Sequence, residues 1–124
     1  MFYNPADCYR AMKYYRDKGY HVHTNRYVTE NLTIDVLAES NGLRIAIFFP
    51  ISMGEAIHET VTALEYGYDN VMCFMKTKAL AGFLKAHLET LRLSGLKVLS
   101  EKGQYEIHYI NDFFKKGDVI EKKE

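Results

Sequence analysis

Asp35 is the residue of this chain best placed to do chemistry. It stands in Asn31–Pro50, NLTIDVLAESNGLRIAIFFP, a largely apolar stretch. A carboxylate so placed binds a cation, holds a proton or accepts backbone hydrogen bonds. Alone it offers one or two oxygen ligands, whereas Mg²⁺ takes about six and usually draws on at least two carboxylates. His21 and His23 alternate along an expected strand, so both imidazoles point to one face at a spacing that can chelate a metal. No third ligand is adjacent in sequence, and an exposed histidine pair is the plainer reading. Arg10, Lys13 and Tyr14 share a helix face that can meet phosphates and stack on bases, with Arg26 and Arg44 as further cations. Asp7 and Asp17 dilute that face, so a solvated helix surface is the plainer reading.

Composition narrows the classes. The 124 residues suit one domain with its own core. Lys plus Arg, 16, balances Asp plus Glu, 16, so no global field draws the chain to nucleic acid or anionic lipid. No apolar run approaches the roughly 20 residues of a membrane span, and MFYNPADCYR lacks the shape of a signal peptide. Cys8 and Cys73 read as buried free thiols of a reducing cytoplasm, with a disulfide between them as the alternative.

Certain elements must position these residues. Asn4-Pro5-Ala6-Asp7 starts a helix, with Asn4 as N-cap and Pro5 at the first helical position. Cys8, Ala11, Met12 and Tyr15 form its core face, and Gly19 ends it. Tyr20 to Val28 alternates as a first strand, with Tyr20, Val22 and Thr24 on one face. Asn31 to Pro50 reads as a hairpin whose Asn41-Gly42 turn supplies the positive φ angles a two-residue loop needs. In its first strand Leu32, Ile34, Val36 and Ala38 are expected on one face and Thr33, Asp35, Leu37 and Glu39 on the other. The second strand, Leu43 to Phe49, is apolar except for Arg44, as in a strand buried on both faces. Ser52 and Glu55 form a capping box, and Met53, Ile57, Thr60, Val61 and Leu64 mark the inner face of the helix that follows. Asn70 to Met75 is a buried strand. Thr77 caps a further helix with Leu80, Phe83, Leu84, His87, Leu88 and Leu91 inward, where His87 reads as a hydrogen-bonded residue at the core edge. Ser94-Gly95 breaks that helix. Leu96 to Leu99 reads as a strand, Tyr105 to Ile110 as another or as the lead-in to a helix at Asp112 to Lys116, and the charged tail from Lys115 as frayed. Three strands in succession imply an antiparallel meander, and the later strand–helix–strand unit a right-handed crossover in a mixed α/β sheet.

This order, with the residues inside it, resembles the PD-(D/E)XK nuclease superfamily, the restriction-endonuclease-like fold. The resemblance runs from about Pro5 to Leu99. Lys18-Gly19-Tyr20 matches the Gly-aromatic end of the first helix, and Ile34-Asp35-Val36 stands at the Pro-Asp position. Arg44-Ile45-Ala46-Ile47 matches the third strand, and Gly67-Tyr68-Asp69-Asn70-Val71 the segment leading into the fourth. The resemblance implies an αβββαβ core with a mixed central sheet flanked by helices, extended here by a C-terminal helix and strand. In the family, an aspartate and a glutamate hold divalent metal and a lysine orients the attacking water. Asp35 matches the aspartate, but Phe48 stands at the glutamate position and Pro50 at the lysine position. Some members move the glutamate to the next helix, where Glu55, Glu59 and Glu65 are available; with Ile57 and Leu64 inward, Glu55 and Glu59 are expected to face away.

The resemblance therefore implies a catalytically silent nuclease-like domain in which Asp35 is a remnant. It would need no cofactor and would serve as a DNA- or protein-binding or regulatory module, as a monomer or a homodimer. One alternative is a Mg²⁺-dependent nuclease using Asp35 with a displaced acid such as Glu39 or Glu59. Another is a small structural or virion-associated protein that assembles through its tyrosines.

Overall fold

The computed structural model describes residues 5–101 and 104–114. In chain order the elements are α1 (Pro5–Asp17), β1 (His21–Thr29), β2 (Leu32–Ser40), β3 (Leu43–Phe48), α2 (Met53–Glu65), β4 (Asn70–Met75), α3 (Lys78–Leu93), α4 (Lys97–Glu101) and β5 (Tyr105–Tyr109). Residues 110–114 are helical. The expected cap at Asn4 and the tail from Lys115 lie outside the described residues.

The five strands form one sheet in the order β1-β2-β3-β4-β5. β1, β2 and β3 are antiparallel neighbours, while β3, β4 and β5 run parallel. The meander follows from short connections, of which the tightest is Asn41-Gly42, with φ 52° and 85°. Those are the left-handed angles of a hairpin turn, which Gly adopts freely and Asn tolerates. The parallel pairs need helical crossovers, supplied by α2 between β3 and β4 and by α3 with α4 between β4 and β5.

Helices cover both faces of the sheet. On one, α2, α3 and α4 bury Ala56, Ala63, Leu84, Leu88 and Leu99 against Leu37, Phe48, Cys73 and Ile107. On the other, Cys8, Ala11 and Tyr15 of α1, with Ile110 and Phe114, pack on Val36, Ile47, Phe49 and Phe74. The central strands β3 and β4 alternate between the two cores residue by residue, as a sheet buried on both faces requires.

Several sequence expectations are corrected. Leu96 to Leu99 is not a strand: α4 occupies Lys97–Glu101, and one helical turn lets Leu99 reach the α3 side of the core. Phe83 is 65 % exposed and His87 is exposed too, because the inward stripe of α3 centres on Ala81, Leu84 and Leu88. Tyr14 is half-buried beside Phe113, not on a free surface, because the 110–114 helix folds back over α1. Nor do Leu32, Ile34, Val36 and Ala38 share one face. Leu32 and Ile34 join the α2 core and Val36 and Ala38 the α1 core. The alternation breaks beside Asp35, where the β1–β2 ladder runs from Thr24↔Val36 to Arg26↔Ile34 and skips the pair between them. Asn25, at that gap, has φ 52°, an irregularity that re-aims side chains on both strands.

Val36 is fully buried between Thr24 and Ile47. Val36→Asp, which introduces an unpaired charge there, is expected to lower stability by about 3 kcal/mol or more, read as a fall in the urea midpoint.

Candidate functional site

Asp35 is fully buried. By strand alternation with Leu37 it lies on the α2 side of β2. Opposite it β3 ends, and the chain leaves the sheet at Phe49-Pro50, so the Phe49 N–H has no ladder partner. Asp35 Oδ2 accepts that N–H at 2.9 Å. Its other oxygen, Oδ1, has no hydrogen-bond partner among the described residues. The group that compensates the buried carboxylate is thus a backbone donor.

The second acid is Glu59 of α2. It was expected to face away and does not: only 5 % of it is exposed, and it sits on the buried face with Ala56, Thr60 and Ala63. Ile57 is only partly buried. The sequence signal that locates this face is the pair of small residues Ala56 and Ala63, two turns apart, which mark where a helix approaches a sheet most closely. The larger Ile57 and Val61 lie at its margin. Glu59 Oε1, like Asp35 Oδ1, is buried and has no hydrogen-bond partner among the described residues. Next to it on the helix, Thr60 Oγ1 and Cys73 Sγ are 3.1 Å apart, which ties α2 to β4.

Electrostatics follow from burial. Desolvation pushes Asp35 up to about 6, against the opposing pull of the Phe49 N–H and with a further push from Glu55. Desolvation also pushes Glu59 up to about 9, with the charges of Asp35 and Glu55 adding to it. At neutral pH Glu59 therefore carries its proton while Asp35 is largely ionised. Burial raises the Cys73 thiol to about 12 despite its contact with Thr60, so this cysteine is inert.

The other acids are accounted for locally. Glu55 accepts the Ile51 N–H at 2.8 Å while its own N–H reaches Ser52 Oγ at 3.1 Å, a capping arrangement at the start of α2. Glu39 lies 3.3 Å from His23 Nε2 near the hairpin end, and Glu65 is exposed at the end of α2. His21 and His23 are exposed on the edge strand β1. Among the described residues, no three His, Cys, Asp or Glu side chains are grouped so as to hold a metal ion.

The four cations expected to meet phosphates are spread over α1, β1 and β3. On α1, Arg10 lies 3.5 Å from Asp7 and stacks over Phe114, while Lys13 pairs with Asp17 at 2.9 Å. Arg26 is exposed on β1. Arg44 is on the far side of the sheet, where its guanidinium lies over the Tyr68 ring and donates to Gly67 O at 2.6 Å. Its backbone N–H meets Asp69 Oδ2 at 2.8 Å, and its carbonyl accepts the Asp69 N–H. Gly67-Tyr68-Asp69 is thus a latch that sets β4 beside β3. Gly67 holds φ 90°, a conformation that other residues rarely adopt, while an added Cβ would make only ordinary contact with the Arg44 guanidinium.

No family model, curated protein or solved structure matches this chain. No helix among the described residues is long and apolar enough to cross a membrane.

The buried acid pair makes stability depend on pH. An acid whose folded value is raised is favoured folded when protonated, so its contribution is complete at low pH and is lost as pH rises toward the folded value. For Glu59 the loss runs from the ordinary glutamate range to about 9, on the order of 1 kcal/mol per pH unit. Glu59→Gln should remove this component. Urea unfolding at pH 5 and pH 8 should show the variant gaining on wild type as pH rises.

Cys73 is fully buried. Native protein should react with an aromatic disulfide reagent at Cys73 only at the rate of unfolding, and fast native labelling would contradict its place in β4.

Proposed function

We propose that this chain is a restriction-endonuclease-like domain whose nuclease site is silent and which serves as a protein-binding module. Support for the fold comes from the element order, with a helix, three antiparallel strands, a crossover helix and a fourth, parallel strand. The Gly67-Tyr68-Asp69 latch in front of that strand adds to it.

The observation that carries the silent reading is the end of β3. Phe48 fills a fully buried position across from Asp35, the Phe49 N–H takes up one carboxylate oxygen, and Pro50 follows. A catalytic divalent cation does not fit these residues. Asp35 and Glu59 are closed off from solvent, Glu59 holds a proton at neutral pH, and neither Phe48 nor Pro50 can bind metal or move a proton. The helix that carries the displaced acid, α2, contains no lysine. A protein partner is favoured over nucleic acid because charge is balanced overall and Arg10, Lys13 and Arg44 are engaged within the chain.

The two orphan carboxylate oxygens of Asp35 and Glu59 favour a second reading, a nuclease with its glutamate displaced to α2. Calorimetry with Mn²⁺ and Mg²⁺ at millimolar concentration, with cleavage assays on single- and double-stranded DNA, separates the two. The expected result is no binding heat and no cleavage. Metal-dependent cleavage lost in both Asp35→Ala and Glu59→Gln would establish the second reading instead.

A further inference from the structure

Among the described residues β5 closes one side of the sheet and pairs only with β4. Beside it runs a groove walled by α3, with Tyr105, Glu106, Ile107 and His108 lining it from the strand and Gly82 and Lys85 from the helix. Successive side chains of a strand point to opposite faces, so four consecutive residues can line one groove only if the strand presents its edge. Among the described residues nothing pairs with that edge, and its outward N–H and C=O groups form an open template. Gly82 and Ala86 keep the helix wall low, and Lys85 with Glu89 gives it both signs of charge.

The edge sequence is Tyr105-Glu106-Ile107-His108-Tyr109, which reads nearly the same in both directions. A second copy laid antiparallel about a two-fold axis at Ile107 sets Tyr105 opposite Tyr109 of the other chain. It also sets Glu106 opposite His108 of the other chain. Each opposed pair lies on one face of the sheet, so aromatic meets aromatic and acid meets imidazole twice. Glu106 and His108 already touch within one chain, at 2.9 Å, with side chains 51 % and 31 % exposed, so both can take a cross-strand partner. Parallel in-register pairing would instead set Glu106 against Glu106.

The opposite edge is built differently. β1 is nine residues long, but Asn25 at φ 52° and a register shift between Tyr27 and Thr29 break its line, devices that blunt an exposed edge. β5 has neither. We infer that this chain forms a two-fold dimer in which two β5 strands pair antiparallel about Ile107 and join two five-stranded sheets into one. The contact is self-complementary and closes on itself, and it does not rest on the reading of the acid pair.

Sedimentation of wild type over a micromolar concentration series should show a monomer–dimer equilibrium. Glu106→Lys or His108→Glu alone should raise the dimer Kd by about tenfold, since each altered pair occurs twice. The double variant Glu106→Lys/His108→Glu should restore it, because lysine again faces an acid. Circular dichroism checks that each variant folds. Under oxidising conditions, Tyr105→Cys mixed with Tyr109→Cys should give a disulfide-linked heterodimer, and either alone should not. A wild type that stays monomeric throughout the series overturns the inference. So does a dimer indifferent to both charge reversals, which would place the contact on another surface or another partner.

Discussion

A buried carboxylate at the point where β3 ends is the constraint around which the centre of this structure is arranged. Asp35 is fully enclosed and accepts a backbone hydrogen bond from the N–H of Phe49. That bond satisfies a group that would otherwise be stranded as the chain leaves the sheet, and an unmade bond in such a place is costly. It also leaves an unused oxygen beside a second buried acid. Desolvation is the main reason that Glu59 keeps its proton, with the charge of Asp35 adding to it, and desolvation likewise holds Asp35 above its ordinary range. The centre of the fold therefore carries a polar cost that the surrounding apolar layers must exceed.

Those layers explain how the pair is held. Small residues on α2 bring that helix down onto β2, β3 and β4, and the contact between Thr60 and Cys73 fixes its height. At the far end of α2, Arg44 grips Gly67, Tyr68 and Asp69. The parallel β3–β4 register is thus set at the end where β4 begins. A cation that composition alone offers to phosphates is, in place, a structural clamp.

The two edges of the sheet differ in the same physical terms. β1 carries an irregularity beside Asp35 that both breaks its edge and turns Leu32 and Ile34 toward the α2 core. β5 is regular, short and flanked by a low helix wall. A protein with balanced charge and dispersed cations has little to offer a polyanion, whereas a regular strand edge recognises another strand through backbone groups that carry no net charge. The proposed self-pairing at β5 and the proposed protein-binding role rest on this common ground.

Much of the architecture was determined by local sequence. Asn41-Gly42, Ser52 with Glu55, Thr77, and the apolar runs 43–49 and 70–75 place turns, caps and central strands through short-range rules of φ angle, capping and alternation. Their observed bounds agree closely with that reading. The isolation of Asp35 among apolar residues was equally legible. The inward turn of Glu59 was not, because helical periodicity weights the largest apolar side chains. Rotation about the helix axis is decided by which residues allow the closest approach to the sheet, and here those are alanines. The face of Leu32 and Ile34 depended on a left-handed asparagine in the neighbouring strand, and the pairing of Arg44 on a loop 23 residues away. Such contacts are chosen only when the layers assemble, since no local pattern records which partner a side chain will meet.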